Sequence, residues 1–286
     1  MRVEPQHEPR PLRVPRRYLE VRPPDRPPSI SIVTPSYNQA AYLEQTVRSV
    51  LDQSYPNLEY IVCDGGSSDG SADILARLGD HLHHWASEPD SGHADAINRG
   101  MAKAGGEVLA YLNSDDLLLP GALAYIAGYF AAHPDVDVVY GHRVLIDHNG
   151  EEIGRWVMPR HDDEVLRWND YVPQETLFWR RAIWEACGGR LDGDLRFSLD
   201  WDLLLRFRRA GARFVRVPRF IGAFRVHPAQ KTSRDIGTSG ELEITALRRR
   251  ELGRDPSSDE LRRRLRPYLR RHIALDRLYR AGLIRY

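Results

Sequence analysis

Polar residues follow four short apolar runs of this 286-residue chain, and behind three of the four they include carboxylates. The first run, ISIV, leads into Thr34-Pro35-Ser36-Tyr37-Asn38, and the second, YIVC, into Asp64-Gly65-Gly66-Ser67-Ser68-Asp69. The third leads into Glu88-Pro89-Asp90 and the fourth into Asn113-Ser114-Asp115-Asp116. Each piece has a plain structural reading. Asp64 and Asp69 suit turns beside glycines, and Asp115 or Asp116 suits the cap of a helix near Pro120. Gathered at one place, however, like charges repel unless a cation or ligand holds them. Neither G-x-G-x-x-G nor G-x-x-x-x-G-K-[ST] occurs, so no glycine loop is there to cradle phosphate through backbone N–H groups. An acidic edge accepts a diphosphate when a divalent cation lies between, and Asp115 and Asp116 offer the hard oxygen ligands that suit Mg²⁺ or Mn²⁺. That chemistry is a nucleoside-diphosphate substrate whose leaving group is stabilised by metal.

The elements that must position these residues follow from periodicity. Ile30 to Thr34, Glu59 to Cys63, His83 to Ser87, Val108 to Leu112 and Val136 to Tyr140 read as strands. Ala40 to Gln53, Ser71 to Leu78, His93 to Ala104 and Gly121 to Ala132 read as helices between them. Such alternation predicts βαβ units and an α/β fold with a mainly parallel central sheet flanked by helices. In such sheets ligands bind beyond the carboxyl ends of the strands, where the aspartates fall. After Gly141 the alternation fails. Val144 to Ile146 and Glu152 to Val157 flank the hairpin signal Asn149-Gly150. Asp162 to Trp168 suggests a helix, Glu175 to Trp179 a strand, and Ser198 to Ala210 a helix; Arg213 to Val217 and Phe220 to Val226 suggest two strands parted by Pro218. This mixed second half is expected to complete a site, and from Gly240 onward the chain reads as an Arg-rich helical extension.

Composition sets the outer limits. At 42% hydrophobic and 28% charged, with two cysteines, the chain is neither disordered nor a disulfide scaffold. Cys63 and Cys187 lack ligand-spaced partners, which argues against structural zinc and for a reducing compartment. The longest uncharged run, Leu117 to Ala132, is too short to span a bilayer, and the N-terminus lacks a secretory pattern; the expected location is cytoplasmic. The charge is uneven: residues 1–28 carry seven Arg against four acids, 29–240 carry 21 basic against 29 acidic residues, and 241–286 carry 13 Arg against seven acids. An acidic centre with basic ends is unlike a nucleic-acid-binding stripe. Eight prolines in residues 1–28 predict an arm without regular structure.

Taken in order, TPSYN at 34–38, VCDGGSSDGS at 62–71, SEPDSGHADAINRG at 87–100, YLNSDD at 111–116 and LDWDLLLR at 199–206 resemble a family 2 glycosyltransferase of the GT-A fold, of the bacterial cell-surface polysaccharide type. The likeness spans about residues 30–231. It implies domains at 1–28 (arm), 29–235 (GT-A domain) and 236–286 (basic extension). It further implies that Thr34, Pro35, Tyr37, Asn38 and Asp64 hold base and ribose, that Asp90 adds a contact, and that Asp95 lies near the sugar or phosphates. Asn113 replaces the first Asp of the family's D-x-D motif; with Ser114 it suits hydroxyl groups better than metal, so the cation is expected on Asp115 and Asp116, unranked. By the same resemblance Asp200 is the general base, and its place in the first turn of a helix is expected to keep it ionised. Asp202 reads as a helix-start acid paired with Arg206. Gln174-Glu175 faces either the acceptor or a strand edge. His227, flanked by Arg225 and Lys231, is expected to approach the metal or diphosphate from a closing loop. Of the tryptophans, including Trp156, Trp168, Trp179 and Trp201, most are expected in the core.

The implied activity is metal-dependent, inverting transfer of a sugar from a nucleotide-sugar donor to a hydroxyl acceptor, a glycan or lipid-linked glycan. The alternatives are a non-catalytic carbohydrate- or nucleotide-binding protein, which Asn113 keeps open, and a sugar nucleotidyltransferase, which the lack of a basic glycine loop in TPSYNQAAYLE disfavours. In the extension, Leu261, Leu265, Leu269 and Ile273 recur every four residues among arginines. The plain reading is a helix packed on the core or a second subunit, with Pro267 interrupting it; the sharper is a helix drawn to anionic lipid at the inner membrane face.

Overall fold

The structure is a computed structural model that describes residues 4–228 and 240–286. Its centre is a nine-stranded mixed sheet. The parallel part orders β3 (His84–Ser87), β2 (Leu58–Asp64), β1 (Ile30–Ser36) and β4 (Val108–Tyr111). The register aligns Ser36 with Asp64 and Asp64 with Ser87, so these strands end along one edge. Between them run α2 (Ala40–Leu51), α3 (Ser71–Leu78) and α4 (His93–Met101). β1 is buried on both faces: Val33 joins the apolar cluster under α4, while Ile30 and Ile32 join Leu43 and Val47 of α2 on the other side. Two covered faces explain why the strand reads as a continuous apolar run.

The sheet continues through β8 (Phe178–Arg180), β6 (Val138–Ile146), β9 (Phe214–Arg225) and β5 (Leu117–Leu118), with β7 (Glu152–Trp156) antiparallel to β6. The Asn149-Gly150 hairpin is present, but four expectations are corrected. First, the strands expected at Val136–Tyr140 and Val144–Ile146 are one, β6, which starts at Val138. Gly141 does not break it: a Cβ there would lie 2.6 Å from the Arg219 carbonyl, so glycine permits the close approach of β9. Second, Pro218 does not divide β9. It sits exposed where the β6–β9 register shifts, as proline in a bulge can. Third, the strand expected over 175–179 begins only at Phe178, as β8; Gln174–Thr176 is a 3₁₀ turn closed by Thr176, whose N–H and hydroxyl both donate to the Pro173 carbonyl. Fourth, the proline-rich arm contains a helical turn, α1 (Arg16–Leu19). Its Tyr18 is 1% exposed, accepts the Phe220 N–H at 3.0 Å and carries the Arg219 guanidinium 3.7 Å from its ring centre.

The remaining helices are α5 (Ala122–Ala132), α6 (Asp163–Trp168), α7 (Arg181–Ala186), α8 (Leu199–Arg209), α9 (Glu241–Leu252) and α10 (Ser258–Arg280). α10 is continuous through Pro267, which lies on an exposed face. There the carbonyl deprived of its donor can be met by water. α9 and α10 pack against α6 rather than standing apart. Among the described residues no helix is long and apolar enough to cross a membrane.

Candidate active site

The strand-end residues do converge, but their side chains divide into those that face outward and those that hold the rim together. Asp64, 3% exposed, accepts the Ser67 N–H at 2.9 Å and the Ser67 and Ser87 hydroxyls at 2.5 and 2.7 Å, which ties the ends of β2 and β3. The Ser67 hydroxyl also accepts the Asn38 N–H at 2.7 Å, and Asn38 accepts the Ser68 N–H at 3.0 Å. Asp90 lies over Gly65, where a Cβ would come within 2.7 Å of its Oδ2, and it accepts the Gly92 N–H at 2.8 Å. Tyr37 stands at this rim 64% exposed. Thr34 does not face it: the side chain is buried, its hydroxyl 3.0 Å from that of Tyr60. Pro35 is buried beside Cys63 in the strand pair. Asp69 accepts the Ala40 and Ser71 N–H groups, the structural role its setting suggested. Asp95 is engaged locally, with the Ser91 N–H at 2.9 Å and Arg99 at 2.8 Å.

The Asn113–Asp116 turn presents its residues in different directions. The Asn113 carbonyl oxygen accepts from His93 Nε2 at 3.0 Å, which requires the proton on that nitrogen, and its amide donates to Gln174 Oε1 at 3.2 Å. Ser114 is buried and its carbonyl, like that of Asp116, accepts the Thr46 hydroxyl, so it braces the turn against α2. Asp115 Oδ2 is 3.0 Å from His227 Nε2. Asp116 is 1% exposed and its Oδ1 accepts the Arg225 N–H at 3.0 Å. Burial, then the charges of Asp115 and Glu175, pushes its pKa well above the ordinary carboxylate range. A carboxyl so placed favours the protonated form.

These positions test a divalent cation. Asp115 and His227 converge, one carboxylate oxygen and one imidazole nitrogen, a donor pair that suits Mn²⁺ when diphosphate oxygens and water complete the shell. Asp116, also expected at the cation, is 1% exposed and has Oδ1 taken by the Arg225 N–H, so Asp115, with its side chain 18% exposed, is the more accessible of the two carboxyls. Among the described residues no group of three or more His, Cys, Asp or Glu side chains forms a cage. Arg225 also departs from expectation. It belongs to a strand rather than a closing loop, is fully buried, and donates to the carbonyls of Asp115 and Asp147 and to Gln45. Lys231 lies outside the described residues.

Asp200 lines a cavity of about 410 Å³, together with Asn113, Asp116, Arg143, Asp170 and Glu175. It stands in the first turn of α8 and accepts the Trp201 N–H at 2.9 Å. The helix start does not dominate its titration: burial outweighs these N–H contacts and raises the pKa. Asp170 was not singled out by sequence. Burial and the Asp200 charge hold its pKa well above normal. Its only signal was position in the polar stretch Asn169-Asp170 before Tyr171. Gln174 and Glu175 face the cavity, Glu175 paired bidentately with Arg143 at 2.8 and 2.5 Å. Asp202 is a structural acid, bound to Arg206 and Arg250. Trp168, Trp179 and Trp201 are buried, while Trp156 is half-buried at the cavity wall.

Two further contributors were not legible as site residues. Glu243 of α9 accepts the backbone N–H groups of Arg196, Phe197 and Ser198 at 2.8–2.9 Å, clamping the segment that enters the Asp200 helix. Ile244 of α9 and Leu265, Tyr268, Leu269 and His272 of α10 complete the cavity wall. The basic extension is thus part of the cavity.

Known proteins resemble the chain in sequence and in fold. The sequence model described as Glycosyl transferase family 2 matches residues 31–201, ending one residue past Asp200. A Bacillus subtilis protein bearing the name teichuronic acid biosynthesis glycosyltransferase TuaG is 45% identical over 92 residues, 31% of this chain and 36% of its own length. The PGL/p-HBAD biosynthesis glycosyltransferase of Mycobacterium bovis is 31% identical over 188 residues, 63% of this chain and 69% of its own. In fold, the chain resembles Staphylococcus aureus TarS 1–349 in complex with UDP-GlcNAc, with a TM-score of 0.65 at 18% identity, over 87% of this chain and 74% of that one. It also resembles the mannosyltransferase PcManGT of Pyrobaculum calidifontis in complex with GDP-Man and Mn²⁺, with a TM-score of 0.63 at 19% identity, over 90% and 73% of the two chains.

Proposed function

The chain belongs to glycosyl transferase family 2, and on that premise we propose that it moves a sugar from a nucleoside-diphosphate sugar to a hydroxyl acceptor with inversion at the anomeric carbon. One observation carries this reading. A single cavity is lined both by Asn113 and Asp116, which follow β4, and by Asp200 of α8. A donor lying along the rim presents its sugar into that cavity, and an acceptor hydroxyl entering it meets Asp200.

The side chains divide the work. Tyr37, Asn38, Asp64 and Asp90 surround the place for base and ribose, with Thr34 and Pro35 shaping the strand beneath and Asp95 fixing the loop beside it. The Nε2–H of His93, the Asn113 amide and Gln174 form a hydrogen-bonding wall suited to sugar hydroxyls, with Ser114 bracing it. Asp115 and His227 would hold a divalent cation shared with the diphosphate; that the mannosyltransferase neighbour is in complex with GDP-Man and Mn²⁺ supports a divalent cation as part of the reading. When bound, such a cation neutralises charge on the departing diphosphate. Asp200 takes the proton of the acceptor hydroxyl; the oxygen forms its bond to the anomeric carbon as the carbon–oxygen bond to the nucleoside diphosphate breaks. A raised pKa suits this role, since a base works best with a pKa nearer the operating pH.

A panel of nucleotide sugars, with and without Mn²⁺, tests the reading by release of nucleoside diphosphate and by thermal shift, since a ligand that binds only the native state raises Tm. Cation-dependent stabilisation by one nucleoside diphosphate and turnover of its sugar conjugate are expected. Binding without turnover across the panel, acceptors included, would instead favour a non-catalytic binding protein.

A further inference from the structure

Helix α10 carries two different faces. One is built into the body: Tyr268 packs 4.4 Å from the Tyr171 ring and His272 5.9 Å from that of Trp156. On the neighbouring strip Leu269 and Ile273, one turn apart, are 40% and 48% exposed. Arg266 lies three residues before Leu269, Arg270 three before Ile273, and Arg277 four after it, spacings that place all of them on the same side of a helix. All three arginines are exposed. Nearby Arg271 and Arg280 pair with Asp162 and Asp276, whereas Arg266, Arg270 and Arg277 make no ion pair within 4.0 Å among the described residues. The strip also reaches the site, because Leu265 and Leu269 line the cavity that holds Asp200.

We propose that this strip docks on an anionic lipid surface, with Leu269 and Ile273 entering the headgroup boundary and the three arginines meeting lipid phosphates. Apolar side chains flanked by unpaired guanidinium groups with long aliphatic stems are what an interfacial helix presents. Charge argues against a second copy of the chain as the occupant. A two-fold contact sets the same patch against itself, and α10 holds eight Arg against three acids. Docked this way, the edge of the cavity lies at the membrane, where an acceptor hydroxyl carried on a lipid arrives. That last clause rests on the transferase reading; the docking does not.

Flotation of the full-length protein with phosphatidylcholine vesicles, with and without phosphatidylglycerol, at low and high salt, tests the docking. Binding is expected only to the anionic vesicles and is expected to weaken as salt screens it. The combined Arg266→Gln, Arg270→Gln, Arg277→Gln variant should lose roughly 100-fold in vesicle partitioning. Ile273→Gln should weaken binding without altering its preference for anionic lipid. Tm and the thermal shift given by nucleoside diphosphate should stay unchanged in both variants, which excludes misfolding. Equal binding to neutral vesicles, no binding, or undiminished binding by the arginine variant overturns the proposal. So does a concentration-dependent dimer that Ile273→Gln dissolves. Absence of any nucleotide-induced shift in wild type would count against the transferase reading alone.

Discussion

Replacing Asp200 with Asn probes the proposed base with little structural disturbance. The asparagine carbonyl oxygen can accept the same Trp201 N–H that Asp200 accepts at 2.9 Å, so the first turn of α8 keeps its bond. What disappears is a carboxylate able to take a proton. General base catalysis contributes roughly 10²–10⁴ in rate, which corresponds to about 3–5 kcal/mol of transition-state stabilisation. Transfer should fall by that factor while the donor affinity and its cation dependence stay within about threefold, because the proposed base belongs to α8 and not to the strand-end residues proposed for the nucleotide. Stability should move the other way. Burial raises the Asp200 pKa in the folded chain, so the native state holds its proton more tightly than the unfolded state. Wild-type stability therefore declines as pH rises from the ordinary carboxylate value through the raised one. The amide introduced by Asp200→Asn carries no such charge, so the Tm advantage of the variant should be absent at acid pH and appear toward neutrality. The acid limb of the wild-type kcat/KM profile should likewise lie above the ordinary Asp value. Assays of transfer, donor titration and melting across pH decide the matter together. Transfer within about threefold of wild type, or loss of donor binding in parallel with activity, would refute the assignment.

Asp115→Asn should weaken Mn²⁺-dependent nucleoside diphosphate binding by roughly 10–100-fold, whereas Asp116→Asn, which keeps an acceptor for the Arg225 N–H, should leave that affinity nearly unchanged; calorimetric titration of both variants separates the two carboxyls. Burial and neighbouring acids raise the Asp116 pKa, so Asp116→Asn should also gain Tm relative to wild type as pH rises above the ordinary carboxylate range. Gly65→Ala brings a Cβ within 2.7 Å of Asp90 Oδ2; because a side-chain end can swing away, stability in a melting assay should change by less than about 1 kcal/mol while nucleotide affinity drops several-fold. Glu243→Ala leaves three N–H groups before α8 without their carboxylate, costing about 1–3 kcal/mol. Its kcat should fall with donor KM held, and Glu243→Gln should recover part of the loss.

Much of the first half was legible because its elements obey one local rule at a time. β1 and β2 are apolar runs, α3 has its helical period over Ser71–Leu78, and turn residues separate them. The second half mixes rules. β6 and β9 each contain a residue that normally ends a strand, Gly141 and Pro218, and each is tolerated for a tertiary reason: close approach of a neighbouring strand in one case, a register shift at an exposed bulge in the other. No local pattern contains that information. The same holds for Thr34, whose motif suggests a ligand contact but whose side chain meets Tyr60 in the core.

By itself the sequence determined that polar and acidic residues end the parallel strands, since apolar runs set the strands and whatever follows them must fall at their carboxyl edge. It also determined the place of Asp200 at a helix start. Which carboxyl stands beside His227 was a tertiary outcome. Asp115 and Asp116 are adjacent and chemically identical, and only the packing of β9, which brings His227 to one and the Arg225 N–H to the other, makes them different. The contribution of α9 and α10 to the cavity was decided the same way, because contacts between residues far apart in the chain depend on how the helices dock and not on their periodicity.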